Sequence, residues 1–190
     1  MPLNYFKKGL RALGIAESFI KGKKGRASLA GVVMRSDLIM DGFAFSDTTI
    51  GGFDATEAVI QIFSSLGRRD INIIMLNGCV ISMFNIIDMG VLYSSLELPV
   101  ICVTYEESLG LDRYLREQKN AKRRIEAYRR LGNREEIILK TGKNVFVRYS
   151  GMNRHEAGHI LNRFTLQGSV PEPLRVARIL AREIHRKFYE

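Results

Sequence analysis

Cysteine is almost missing from this chain: Cys79 and Cys102 are the only two in 190 residues. One pair cannot staple a domain of this size. Both cysteines lie in strongly apolar, strand-like surroundings, which predicts buried free thiols in a reducing compartment and hence a cytoplasmic location. No apolar run approaches the roughly eighteen residues that a membrane helix needs, so no membrane partner is expected. The first residues, MPLNYFKKGLRALGI, lack a continuous apolar core and a small-residue cleavage site, which argues against a secretory signal. A Walker-type phosphate loop and a dinucleotide fingerprint are also missing, which leaves nucleotide-cofactor enzymes without support. No internal repeat, low-complexity tract or dividing linker interrupts the chain, and one domain over residues 1–190 is expected.

Acidic residues are in deficit. Twenty Asp and Glu face 29 Lys and Arg, giving a formal net charge of +9 and a pI near 9.8. Such a surplus favours polyanions, because phosphates that bind it release their counterions. A nucleic-acid partner is therefore expected. The remaining balance, 46% apolar and 26% charged, is that of a folded globular chain and excludes disordered and fibrous classes.

The order of elements narrows the fold. Residues 10–17, 28–35 and 38–50 are β-rich, with a tight hairpin expected at Ser36-Asp37. Asp54 and Glu57 have the spacing of a capping box for a helix over 55–66. Residues 71–76 and 100–103 are solidly apolar, as in strands covered on both faces, and a helix is expected between them over 83–97. A long basic helix is expected over 109–132. A hairpin around residues 141–143 then joins strands at 137–139 and 144–149, and helices follow over 153–166 and from Pro171 to the end. Three antiparallel strands followed by parallel β-α-β crossovers, with helices on both faces, predict an α/β (α+β) ribonuclease-H-like mixed sheet.

Five ordered segments carry a more specific resemblance: Gly14-Ile15, Gly52-Phe53-Asp54-Ala55-Thr56, Leu76-Asn77-Gly78, Phe84-Asn85-Ile86-Ile87-Asp88, and Pro171-Glu172-Pro173-Leu174-Arg175-Val176-Ala177. Together they resemble an archaeal family, domain of unknown function 99, which is distantly related to endonuclease V. The resemblance spans about residues 10–182. It implies a phosphodiester-cleaving site in which acids from the first strand, the start of the first helix and the end of the fourth strand hold Mg²⁺ or Mn²⁺. This chain departs from that pattern at two places. Ala16 and Glu17 stand where the family shows two acids, and Asn77 stands where it shows an aspartate; Asp54 is unaltered. On a strand, Ala16 and Glu17 point to opposite faces, so Glu17 cannot simply replace an acid at 16. The expected catalytic set is Asp54, Glu17 and Asp88, with Asp54 and Glu17 as weak metal ligands and Ala16 and Asn77 as degenerate positions. Each acid has a plainer alternative: Asp54 as a helix cap, Glu17 as a solvated strand end, and Asp88 as a hydrogen-bond partner of backbone near Asn77-Gly78. The leading expectation is a nucleic-acid-binding relative of endonuclease V with an impaired nuclease centre. The alternatives are an active Mg²⁺- or Mn²⁺-dependent nuclease and a protein-interaction module that keeps only the fold.

Two further patterns bear on chemistry. His155-Glu156-Ala157-Gly158-His159 matches the zinc-protease spacing, with Glu183 or His185 as conceivable third ligands. Gly158 weakens the helix and no further downstream ligand motif follows, so the match is read as accidental and no zinc is expected. The basic stretch carries Arg113, Arg116, Lys119, Lys122, Arg123, Arg124, Arg129 and Arg130, with Tyr114 and Tyr128 interleaved. Cations with rings suit backbone contact and stacking on unpaired bases. Arg116, Lys119, Lys122, Arg123, Arg124, Arg129 and Arg130 are the expected nucleic-acid contacts. A second cluster, Arg175, Arg178, Arg182, Arg186 and Lys187, marks one face of the last helix.

Overall fold

The computed structural model describes Tyr5, Lys7 and residues 9–189. Three antiparallel strands open it: β1 (Arg11–Ser18), β2 (Arg26–Arg35) and β3 (Met40–Thr49). Helix α1 (Ala55–Leu66) crosses to β4 (Ile73–Asn77), which runs parallel to β1. A small hairpin of β5 (Val80–Ile81) and β6 (Asn85–Ile86) precedes α2 (Met89–Leu96) and β7 (Val100–Thr104), the latter parallel to β4. Helices α3 (Asp112–Arg116) and α4 (Ala121–Arg130) lead to β8 (Glu135–Ile138) and β9 (Asn144–Ser150), and β9 pairs antiparallel with β7. Helices α5 (Arg154–Phe164) and α6 (Glu172–Tyr189) follow. Seven strands form one mixed sheet in the order β3-β2-β1-β4-β7-β9-β8. The expected ribonuclease-H-like mixed sheet is the architecture found.

The side-chain alternation of β1 divides the core in two. Leu13 and Ile15 pack with Val59 and Ile62 of α1, whereas Ala12 meets the face covered by Ile160 and Phe164 of α5 and Leu174 of α6. Strands β4 and β7 lie inside the sheet, and their near-continuous apolar sequences follow from cover on both sides. Small residues on β1 let α6 approach closely. A Cβ on Gly14 would lie 2.6 Å from the carbonyl carbon of Pro173. Ala16, buried, packs against Val32 and Ala177.

Several expected elements differ. The helix expected over 83–97 is the β5–β6 hairpin followed by a shorter helix. Ser82, Met83 and Phe84 have φ of 42°, 58° and 68°, left-handed values that a right-handed helix cannot use. Asp88, expected inside that helix, is instead the N-cap of α2, accepting from the amides of Gly90 and Val91. The basic helix expected over 109–132 is two short helices, broken where Asn120 takes φ 58°. The Asp54–Glu57 capping box does not form: Asp54 makes no side-chain cap bond, and Asn85 Oδ1 accepts from the Ala55 amide instead. A capping box does form at α5, between Asn153 and Glu156. Cys79 and Cys102, expected as free thiols, are paired as a disulfide. The parallel seam of β4 and β7 places Cys102 beside Leu76 and brings the two Cα atoms to 6.1 Å, inside bridging range. The inference of a reducing compartment loses its support with that pairing. Among the described residues, no helix is long and apolar enough to cross a membrane.

Candidate functional site

The carboxyl ends of β1 and β4, the start of α1, the β5–β6 hairpin and α6 meet at one end of the sheet. Ile15 is in register with Leu76, so Ala16 and Asn77 are the next residues along neighbouring strands. Asn77 continues the side of β4 that carries Ile73 and Met75, toward α5 and α6; Glu17 continues the side of β1 that carries Leu13 and Ile15, toward α1. The two therefore lie on opposite faces of the sheet.

Asp54 is enclosed by donors. Its Oδ1 accepts from the Thr48 hydroxyl, from the Thr49 amide at 3.0 Å and from Asn85 Nδ2 at 2.7 Å. Its Oδ2 accepts from the Thr49 amide at 3.1 Å and the Thr49 hydroxyl at 2.7 Å, with an Arg26 guanidinium nitrogen 3.5 Å away. Partial burial alone would raise the pKa of this carboxyl. The donors from Thr48, Thr49 and Asn85 outweigh it and hold Asp54 well below the usual carboxylate range.

Glu17 is half-buried. One carboxylate oxygen accepts from the Ser82 amide at 2.9 Å and the other from the Ser82 hydroxyl. Burial pushes Glu17 upward, and the Ser82 donors only partly offset it. Glu17 and Asp54 thus hold the same hairpin, at Ser82 and at Asn85. Asp88 does not join them: beyond capping α2, it pairs with Arg130 at 3.2 Å. On the other face, Asn77 Oδ1 accepts from the hydroxyl of Tyr105 at 3.0 Å. Burial raises the Tyr105 pKa against the opposing fields of Arg178 and Arg175.

Mg²⁺ and Mn²⁺ need oxygen ligands with lone pairs to spare and negative charge nearby. Asp54 has both oxygens filled by internal donors, Ala16 and Asn77 are neutral, and Glu17 faces away from Asn77. Among the described residues, no three His, Cys, Asp or Glu side chains gather closely enough to hold a metal ion. The residues present do not fit a divalent cation. In the zinc-protease-like motif, the Glu156 carboxylate accepts from the Asn153 amide in the α5 cap. Glu183 pairs with Arg186, and buried His185 lies 3.3 Å from the Ser28 hydroxyl through Nδ1.

The basic stretch divides. Arg116, Lys119, Lys122, Arg123, Arg129 and Arg130 are exposed. Arg129 approaches Asp112 at 3.5 Å, and Arg123 stacks over the Phe53 ring at 4.0 Å. Arg124, expected among the nucleic-acid contacts, is only 4% exposed. It donates to the carbonyls of Gly51, Gly52, Phe84 and Lys119, and it lies 4.2 Å over Phe53. It is an internal clamp that joins α4 to the loop before Asp54 and to the hairpin. The sequence reading also missed Thr48, Thr49, Ser82 and Tyr105. Their one visible signal was polarity next to apolar runs; Asn85 stood in a recognised segment without a role.

The chain is similar to several known proteins. A UPF0215 protein of Pyrobaculum calidifontis is 39% identical over 171 residues, covering 89% of this chain and 93% of that protein. One from Methanosarcina acetivorans is 31% identical, covering 93% and 91%. Among solved structures, an Archaeoglobus fulgidus protein of unknown function superposes with a TM-score of 0.79 at 24% identity, over 92% of this chain and 98% of that one. Ciona intestinalis endonuclease V, in complex with DNA containing an inosine, gives 0.66 at 16% identity, over 95% and 87%. The endonuclease V likeness is one of fold. The model of the endonuclease dU family matches residues 8–185, nearly the whole length, and with relatives above 30% identity over nine-tenths of the sequence this chain belongs to that family.

Proposed function

We propose that the protein binds nucleic acid, in the manner its fold serves in endonuclease V, and cleaves it poorly. The observation that carries this reading is the charge at the site's end of the sheet. Two neutral residues, Ala16 and Asn77, occupy the positions where the resemblance implies acids, and the one unaltered acid is saturated by Thr48, Thr49 and Asn85. Metal-assisted hydrolysis needs clustered anions to hold the ion that polarises the phosphate and activates water. Backbone binding needs cations, which this chain has in surplus. The solved complex of endonuclease V with inosine-containing DNA and the family description "endonuclease dU" together point to DNA with a deaminated base as the ligand.

A second reading, an active nuclease with rearranged acids, is favoured by one observation: Glu17 and Asp54 are tethered to the same hairpin. Fluorescence anisotropy with uracil-containing, inosine-containing and unmodified oligonucleotides, followed by a nicking assay in Mg²⁺ and Mn²⁺, separates the two. Binding that weakens steeply with salt and leaves the strands intact supports the proposal. Nicking that disappears in Asp54→Asn would establish the active enzyme instead.

A further inference from the structure

Helix α6 carries four arginines in two electrostatic classes. Arg175 pairs with Glu172 at 3.2 Å, and Arg186 pairs with Glu183, each through an i,i+3 contact. Arg178 and Arg182, one turn apart and both exposed, have no ion-pair or hydrogen-bond partner among the described residues. They line a pocket of about 230 Å³ with Glu17, Ser18 and Phe19, at the carboxyl end of β1. That is smaller than the roughly 300–1,000 Å³ of a drug-sized ligand site, and on the scale of a single charged group. The one acid lining it, Glu17, gives its carboxylate to Ser82 rather than to either guanidinium. Exposed Lys21, Lys23 and Lys24 follow in the loop after β1.

Ligand sites of open α/β sheets lie beyond the carboxyl ends of the strands, which is where this pocket opens. A nuclease of this fold approaches phosphate through a cation held by acids. With neutral residues at 16 and 77, guanidinium groups can meet the anion directly, and they match phosphate oxygens in charge and in planar donor geometry.

We propose that Arg178 and Arg182 bind a phosphate group of a nucleic-acid strand at the end of β1, in place of a metal ion. The proposal rests on the nucleic-acid reading above, but the site can be tested without nucleic acid. Inorganic phosphate, titrated calorimetrically, binds the wild-type protein and not R178A/R182A. Glu17→Gln removes the only acid lining the pocket and tightens phosphate binding several-fold, the opposite of its effect on a metal site. For single-stranded DNA, R178A/R182A lowers affinity at least tenfold and reduces the salt slope by about 0.7, the value for one lost phosphate contact. Strands with a 5′-phosphate and a 5′-hydroxyl distinguish the source. A loss confined to the phosphorylated strand assigns the pocket to a strand end, and an equal loss assigns it to the backbone. Unchanged phosphate and strand binding in R178A/R182A overturns the site and leaves the nucleic-acid reading standing. Phosphate binding through this pair with no affinity for any strand keeps the anion site and overturns the reading.

Discussion

Replacing Arg124 with methionine separates a structural cation from a binding one. The side chain is 4% exposed and serves four backbone carbonyls, of Gly51, Gly52, Phe84 and Lys119. Methionine keeps much of the volume but leaves those carbonyls without their donor. An orphaned buried acceptor costs about 1–3 kcal/mol, and loss of the Phe53 cation–π contact adds about 1 kcal/mol. Relief from desolvating the guanidinium opposes both, since burial already pushes the Arg124 pKa down. A net loss of about 3 kcal/mol is expected, which for a domain of this size lowers Tm by roughly 6–12 °C. Arg124→Lys recovers little, because one ammonium cannot span carbonyls from two loops. Differential scanning calorimetry reads the Tm, and anisotropy reads DNA binding on folded protein below the transition. A variant with wild-type Tm and weakened DNA binding would refute the clamp and return Arg124 to the surface contacts.

Three more expectations follow from the packing and charge. Gly14→Ala places a methyl against the Pro173 backbone and costs about 1–3 kcal/mol in urea unfolding; a neutral effect would mean that α6 is not seated on β1 as described. The Asp54 carboxyl is held below its unfolded value of about 3.9, so its contribution is fully present above that pH and is lost as pH falls through the folded value. Stability measured between about pH 5 and pH 2 should therefore fall less steeply in Asp54→Asn, and an identical slope would contradict the saturated carboxylate. The Cys79–Cys102 bridge spans 23 residues, and Cys102→Ser should cost about 3 kcal/mol by loop closure; unfolding curves that ignore reductant would contradict the pairing.

The sheet was legible because its interior strands are apolar without interruption and its first three are joined by short turns. The bounds of α1, 55–66, match the expectation even though the cap that motivated it does not form. What escaped has a common cause. Ser82, Met83 and Phe84 adopt left-handed backbone without glycine, so nothing in their identities announced a turn, and tertiary contacts from Glu17, Gly51 and Arg124 hold it. Asn120 is a residue type that tolerates such a conformation, but one asparagine in a basic run is a faint stop signal. Arg124 and Arg123 are neighbours of the same type, and only the fold decides that one is buried. At the site, the positions of Ala16, Asn77 and Asp54 were visible through the resemblance. The filling of the Asp54 lone pairs by Thr48, Thr49 and Asn85 was not, since those donors come from two separate places in the chain, the end of β3 and the β5–β6 hairpin.

The seating of α6 on Ala16 couples two properties that look independent. Position 16 sets the charge of the strand end, and it also sets how low an 18-residue helix lies on the sheet. An aspartate there would meet Ala177, itself fully buried, before it met any ligand. The helix would have to rise or tilt, carrying Arg178 and Arg182 with it. Restoring one carboxylate thus reshapes the surface opposite it, and the route between a cation-holding and an anion-holding form of this fold runs through a shift of the helix, with no single side-chain exchange sufficient.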